Sequence, residues 1–482
     1  MEAGQTRASN YFWPLAIFAL AIVLRIASAI PFSALHADEV WQYLEPAYRL
    51  IGGHSVVTWD QRDGLRSWLL PEILALPMYI GHILSPASQA HLLGVRIFLA
   101  AFSLLIVWGA YRLGKVISPI HAFVASFVAA TWSEFIYMAP RALTDSVSAT
   151  LFAAGAALLL TSKKRSDYLS GFLLGLAFVV RIQTFPALAA LLVFELPRWK
   201  ERFPRLLAGG LGAIAADSAA NLVMGAPPLM WIINNFYINL VQNKSASFGV
   251  ESPWAYLFDL IERWNFLLSP LLFLALWGAR KYPSLLFAAL AHIIAHSLIP
   301  HKEWRFDYLF HVLILLLAGV GAGNIVQKLS PRTAVLAFAG FLGASVFVAL
   351  QPKLMNSYFR YRPMEAAMID ASAISSSCAI AIYHLWDKIG ASYALSDSDR
   401  PFYVYAEDSP VKLDLLGSAD AYGAVITGPD SIQKIPREFD EKKCFPNRDG
   451  RVFWCVLKKR GECKAKPPTE LGINSYLISV HR

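Results

Sequence analysis

Two short clusters of ionisable residues stand beside long apolar stretches, and both are built from groups that do chemistry. His36-Ala37-Asp38-Glu39 follows the first apolar block, and His301-Lys302-Glu303-Trp304-Arg305-Phe306 lies between two later ones. Paired carboxylates can supply a general base. Adjacent helical residues do not share a face, so one of Asp38 and Glu39 is expected to point into any pocket. Arg offers a forked donor set and Lys a mobile charge, and both suit phosphate oxygens. Each cluster also has a plainer reading. The acids can cap the helix that follows them, and the basic cluster can be a solvated turn with a local Lys-Glu or Arg-Glu pair. Position favours chemistry, because ionisable groups next to a membrane-length apolar block are costly to desolvate.

Smaller signals accompany them. Arg141, Thr144 and Asp145 occupy a short turn, and Arg181, Gln183 and Thr184 end another apolar block; either Arg could instead snorkel toward lipid headgroups. Asp217 and Arg25 sit inside apolar blocks, Asp217 to pair with a buried base or to line a cavity, Arg25 without an assigned role. His36, Asp38 and Glu39 carry nitrogen and oxygen donors, but so local a set needs a distant partner to close a metal site. No metal and no cofactor are expected.

The elements that must position these groups are membrane spans. The chain has 482 residues, 56% hydrophobic and 16% charged, more apolar surface than a soluble core of that size holds. A span takes roughly 20 helical residues, and eleven candidates fall near residues 11–30, 91–111, 118–138, 146–161, 168–184, 185–197, 205–224, 262–279, 283–299, 307–325 and 333–351. The first is too long and aromatic for a removable signal peptide and is kept as an anchor. Short cytoplasmic loops gather Lys and Arg. With the N-terminus inside, each inner loop holds at least two: Arg112 and Lys115; Lys163, Lys164 and Arg165; Arg198, Lys200, Arg202 and Arg205; Arg280 and Lys281; Lys328 and Arg332. The net charge of +9 is then topological, with no call for nucleic acid.

This topology puts residues 31–66, 139–145, 225–258 and the tail after about 352 on the extracytoplasmic face. After the first acids, Trp41, Leu44, Tyr48 and Ile51 fall at helical spacing, which predicts an amphipathic helix on the membrane surface, bent near Pro46. The tail alternates strand candidates, Phe402-Tyr403-Val404-Tyr405 and Tyr422-Gly423-Ala424-Val425-Ile426, with polar turns, and reads as a small α/β domain, residues 352–482. Cys444, Cys455 and Cys463 match no zinc spacing; in an oxidising compartment one disulfide among them is expected, its pairing open.

The string His36-x-Asp38-Glu39 with Gln42-Tyr43-Leu44-Glu45-Pro46, then Thr58-Trp59-Asp60 and Leu65-Arg66-Ser67 with Pro71, resembles the opening loop of the GT22 mannosyltransferases of GPI-anchor and N-glycan assembly. His301-Lys302-Glu303-x-Arg305-Phe306 resembles a second signature of that family, and the likeness takes in residues 141–145 and 175–184, extending over roughly 11–350. Asp145 stands where the family often has Asn, Gln183-Thr184 replaces Pro-Thr, and the tail matches nothing in it.

The resemblance implies an all-α polytopic membrane protein of GT-C type: a transmembrane catalytic domain, residues 1–351, followed by the extracytoplasmic tail domain. It implies transfer of a hexose, mannose foremost, from a polyprenyl-phosphate-linked donor such as dolichyl-phosphate mannose to a lipid-linked glycan or glycolipid, at the periplasmic or ER-lumenal face. Such a donor brings its own leaving group, so the enzyme needs a base for the acceptor hydroxyl and positive charge for the departing phosphate. On that chemistry Asp38 is the base of a single inverting displacement, with Glu39 as substitute or acceptor orienter. Lys302 and Arg305 bind phosphate, with His301, Arg66, Arg141 and Arg181 as further ligands. His36, Glu303, Asp60 and Gln183 serve the acceptor or support the site. The absence of a nucleotide-binding glycine loop speaks for the lipid-linked donor. A transporter or flippase of a lipid-linked sugar is the alternative, although transporters favour internal repeats and midplane sites. A non-catalytic assembly subunit is a further one, which leaves both ionisable clusters unexplained.

Overall fold

Long apolar runs with few breakers dictate helices, and helices make up most of the computed structural model. It describes residues 2–31, 34, 36–85, 89–162, 164–194, 197, 199–359, 361–374, 378–385, 392–396, 400–407, 409 and 414–480. Lys163 and Arg198, two of the residues behind the topology, lie outside these. Six helices among the described residues are long and apolar enough to cross a membrane: Ala90–Lys115, Thr144–Thr161, Lys200–Val223, Ala255–Ala279, Trp304–Val326 and Pro331–Leu350. Six more apolar helices are shorter, against eleven spans expected. Among its described residues, the expected span 185–197 contains the nine-residue helix Phe185–Val193, and an apolar helix, Leu69–Leu84, occurs where none was expected.

The chain divides into two compact units. The first comprises Met1–Ile30, Ser67–Leu69 and Arg96–Met355. At its centre the helices Thr144–Thr161 and Tyr308–Val326 are buried along nearly their whole length. Small residues let helices meet closely: a Cβ on Gly278 would stand 2.0 Å from the Leu317 carbonyl, and one on Gly321 2.0 Å from that of Leu274. The helix Pro331–Leu350, by contrast, exposes Val335, Leu336, Val346 and Leu350, as a lipid-facing helix does.

Both charges inside apolar blocks have partners here. The Arg25 guanidinium donates to the carbonyls of Ala129 and Ala130, at 3.0 Å each, and to Ser103 Oγ at 2.9 Å, so it caps the end of the helix Pro119–Thr131. Asp217 meets neutral donors rather than a base: Ser67 Oγ at 2.5 Å and Trp231 Nε1 at 3.1 Å. It fixes the chain at Ser67 and gives each carboxylate oxygen a donor.

The second unit comprises Pro31–Arg66, Leu70–Val95 and Asn356–Arg482. Its sheet contains β1 (Ala379–Tyr383), β2 (Phe402–Tyr405), β3 (Tyr422–Thr427), β4 (Glu441–Pro446) and β5 (Val452–Lys458) in the order β2-β1-β3-β5-β4. β1 runs parallel to β2 and β3, whereas β5 is antiparallel to β3 and β4. β1 and β3 are buried throughout, as strands covered on both faces must be. The edge strand β4 is exposed at Glu441, Lys442 and Lys443, charges that discourage further pairing. Both strands expected from alternation are thus present. Two disulfides staple the domain, Cys378–Cys463 and Cys444–Cys455, so the expected single bridge is one of two.

Candidate active site

The acidic motif belongs to the second unit. Asp38 precedes a π-helical turn, Glu39–Leu44, that runs into the helix Glu45–Leu50, where Pro46 fits the first turn because no hydrogen bond is required of its nitrogen there. The Asp38 carboxylate makes no capping bond, so a helix cap does not account for it. His36 Nδ1 lies 3.4 Å from Asp38 Oδ1 and accepts the Asp38 N–H at 3.2 Å. Glu39 is buried while Asp38 is partly open, so the two neighbouring acids do occupy different surroundings.

The second part of this motif closes on the first. Asp60 accepts from the Thr58 hydroxyl and the Gln61 N–H, and pairs with Arg66 at 3.2 Å. Gln61 donates to the Trp41 carbonyl at 2.8 Å, tying this turn to the π-helical one. Burial acts to lower the Arg66 pKa, but Tyr43, Asp60 and Asp38 outweigh it and raise it overall. Arg66 is therefore bound up with the acids of its own loop.

The remaining cations belong to the first unit, and a carboxylate organises them. Asp145, in the first turn of the helix Thr144–Thr161, suits that helix's dipole. Its Oδ1 lies 2.9 Å from Arg181 and its Oδ2 3.5 Å from Arg305, with all three side chains at least nine-tenths buried. Arg181 stands where the helix Asp167–Val180 breaks into an extended residue before the short turn Ile182–Thr184, which also carries the half-buried Gln183. Arg305 stands in the short turn Trp304–Asp307 and donates to Glu303 Oε2 at 2.7 Å. Both guanidiniums lie over the Phe306 ring, about 5 Å from its centroid.

The other motif residues are placed around this group. His301 Nε2 meets Glu303 Oε1 at 3.1 Å, a bond that raises the imidazole pKa. Lys302 turns its ammonium to the carbonyls of Ile299 at 2.6 Å and Glu251 at 3.3 Å, and burial lowers its pKa. Two of its three protons are thus committed to backbone. Arg141 is fully buried over the Tyr137 ring, which packs against Trp304.

Sequence reasoning missed two adjoining features. Arg263 is buried among Glu134 at 3.1 Å, Asp259 at 2.5 Å, Asp307 at 3.5 Å and His311 at 3.1 Å. Asp307 ends the turn that bears Arg305, so this network braces it. Charged residues within apolar stretches were the signal that could have found it. The second is a histidine pair on the helix Pro283–Ser297. His292 Nε2 donates to the Phe306 carbonyl at 3.0 Å and His296 Nδ1 to that of His292 at 2.9 Å, which leaves His292 Nδ1 and His296 Nε2 as buried acceptors.

The model of the Alg9-like mannosyltransferase family matches residues 16–377. The chain belongs to that family. This is the GT22 family its motifs resemble. The match stops one residue short of Cys378, so the sheet domain lies beyond it. GPI mannosyltransferase 3 of Yarrowia lipolytica is 26% identical over 308 residues, 61% of this chain and 59% of that one. The Saccharomyces cerevisiae enzyme named Dol-P-Man:Man(7)GlcNAc(2)-PP-Dol alpha-1,6-mannosyltransferase is 33% identical over 104 residues, 21% of this chain and 19% of that one. The chain spans about three fifths of the length of the GPI mannosyltransferase 3 relatives it matches. Among solved structures, ArnT from Cupriavidus metallidurans bound to undecaprenyl phosphate superposes with a TM-score of 0.59 at 14% identity, over 95% of this chain and 99% of that one. That likeness shows the fold, the GT-C type expected. With its apolar helices, it makes this family member an integral membrane protein.

Proposed function

We propose that this chain is a glycosyltransferase that moves mannose from a polyprenyl-phosphate-linked donor to a hydroxyl of a lipid-linked glycan or glycolipid. The observation that carries this is the group of buried guanidiniums about Asp145. Arg181 and Arg305 share that single carboxylate, which sets two forked guanidiniums side by side over one aromatic ring. An anion completes such a site, and a phosphodiester suits the forked donors. The Saccharomyces cerevisiae relative is named for Dol-P-Man and a PP-Dol-linked glycan, which favours phosphate on a polyprenyl chain.

In the proposed reaction Asp38 takes the proton of the acceptor hydroxyl. The oxygen attacks C1 of the sugar as the bond from C1 to the phosphate oxygen breaks, inverting the anomeric configuration. The electron pair leaves with polyprenyl phosphate, and Arg305, Arg181 and Arg141 stabilise the charge that develops there. Lys302 and His301 add to the field, Glu303 holds Arg305 and His301, and Glu39, His36, Asp60, Arg66 and Gln183 orient the acceptor or support the loop. Residues 1–351 form the catalytic domain, with the N-terminus cytoplasmic and the reaction on the extracytoplasmic face.

The test is sugar transfer by purified protein in detergent, with labelled polyprenyl-phosphate mannose and a panel of lipid-linked acceptors. Transfer by the wild type, its persistence in EDTA, and its loss in Asp38→Asn with donor binding retained are expected. Donor binding without consumption by the wild type would support a carrier of lipid-linked sugar instead, and full activity in Asp38→Asn would move the base elsewhere.

A further inference from the structure

Glu45 is completely buried just past the two acids, and neutral donors meet its carboxylate. Its carboxylate accepts from neutral donors in two distant parts of the chain. Oε2 accepts the Val56 N–H at 2.7 Å, whereas Oε1 accepts the Ser392 hydroxyl at 2.6 Å and the Ala394 N–H at 2.8 Å. The Glu45 N–H itself donates to the Val40 carbonyl, closing the π-helical turn that follows Asp38. One residue thus ties the turn bearing the acids to the extended return of its own loop and to the tail domain. A carboxylate is costly to bury unless its acceptor positions are met, and these donors meet them.

The contacts around it repeat the pattern. Asn474 of the tail accepts the Val57 N–H at 2.8 Å and donates to the Ser55 carbonyl at 3.1 Å. Arg62 donates to the Leu477 carbonyl at 3.1 Å, two residues from Asp60. His91 Nε2 meets the Ala394 carbonyl at 2.7 Å. The acidic loop is held at its helix, at its extended return and near Asp60, each time by polar bonds to the tail domain or its neighbours. Polar bonds of fixed direction set an orientation, where apolar contact would tolerate sliding. The family match ends before this domain, so Ser392, Ala394 and Asn474 lie outside it while Glu45 lies within it.

We propose that Glu45 is a positioning residue through which Ser392 and Ala394 of the tail domain fix the helix presenting Asp38 and Glu39. The inference rests on the proposed role of Asp38 as base. Gln at position 45 can keep an oxygen toward Val56 or toward Ser392 and Ala394, but its amide nitrogen then opposes a donor on the other side.

The test uses the full chain with Glu45→Gln, Glu45→Ala, Ser392→Ala and the double variant Glu45→Ala with Ser392→Ala. The expected result is a kcat loss of up to about 100-fold in Glu45→Ala, of the size a misplaced catalytic group causes, with donor KM little changed and Glu45→Gln and Ser392→Ala intermediate. The double variant is expected to be no worse than Glu45→Ala, since the two changes break one contact. Hydrogen exchange should accelerate at residues 39–50 in every variant. An unchanged kcat in folded Glu45→Ala, a loss confined to acceptor KM, or additive effects would overturn the proposal. Should Glu45→Ala not fold, Ser392→Ala decides. Should the wild type transfer no sugar, the proposed function fails, while unchanged exchange at residues 39–50 separately overturns the positioning.

Discussion

Arg181 lies 2.9 Å from Asp145, and the same carboxylate is 3.5 Å from Arg305, so one buried acid holds two guanidiniums in register. Removing it leaves two like charges buried together. Asp145→Ala is expected to destabilise the protein by about 3–5 kcal/mol, the usual consequence of breaking a buried pair from one side. Asp145→Asn keeps an oxygen acceptor, removes the competing negative charge, and is expected to fold and to bind donor at least as tightly. Thermal unfolding and donor KM measure the two effects, and an Asn variant with weakened donor binding would show that the charge of Asp145 is needed there.

Arg305 makes use of the guanidinium's shape as well as its charge. Its Nε serves Glu303 while a terminal nitrogen faces Asp145, an arrangement a lysine ammonium cannot reproduce. Arg305→Lys is expected to lower kcat/KM by about 10- to 100-fold, in line with the loss of a charge-assisted bond of roughly 1.5–3 kcal/mol. Steady-state kinetics with the lysine variant beside Arg305→Ala checks this. Equal activity of the lysine variant and the wild type would mean that charge alone is read.

Much of this site was legible because its residue types announce themselves. Arg181 and Arg305 are forked cations beside apolar stretches, and Asp38 with Glu39 opens a helix. The pairings were not legible, because they join residues far apart in the chain. Glu134 and Arg263 are 129 positions apart and Glu45 and Ser392 are 347 apart, distances across which no periodicity carries information. Asp217 misled for a different reason: a base was one expected partner, and the fold supplied a hydroxyl and an indole instead. The helix Leu69–Leu84 escaped notice because Pro71, Glu72, Pro77 and His82 interrupt its apolar run, although Pro71 falls in its first turn. In the tail, period-two alternation was enough for β2 and β3, while Cys378 lay too far from Cys463 for their pairing to be foreseen.

The two disulfides should contribute unequally. Cys378–Cys463 closes a loop across 85 positions and Cys444–Cys455 one across 11. Chain entropy then assigns about 4.5 kcal/mol to the longer link and about 3 kcal/mol to the shorter. The short link also joins β4 and β5, which already pair in register from Glu441 to Phe445, so it constrains residues the sheet holds together. Cys378→Ser with Cys463→Ser is expected to lower the unfolding temperature more than Cys444→Ser with Cys455→Ser. The reverse order would mean that the antiparallel edge depends on its cross-link.

Glu45 also gives the second unit a pH dependence of definite sign. Burial raises its carboxyl to about 7 from an ordinary 4.5, even though hydrogen bonds from Ser392, Val56, Ala394 and Tyr393 pull the other way. Below 4.5 the group is protonated both folded and unfolded. Between 4.5 and 7 the unfolded chain releases the proton and the folded chain keeps it, so stability falls as pH rises and levels off above 7. The whole interval is worth about 3 kcal/mol. Glu45→Gln cannot ionise and loses this slope, while losing an acceptor at every pH. The variant is therefore expected to be less stable than the wild type at pH 4.5, with the gap narrowing toward pH 7. Paired unfolding curves of the two proteins across that range read the difference directly. A gap that stays constant would mean that Glu45 ionises alike in both states, and one that widens with pH would mean that its donors outweigh burial and hold the carboxylate ionised in the fold.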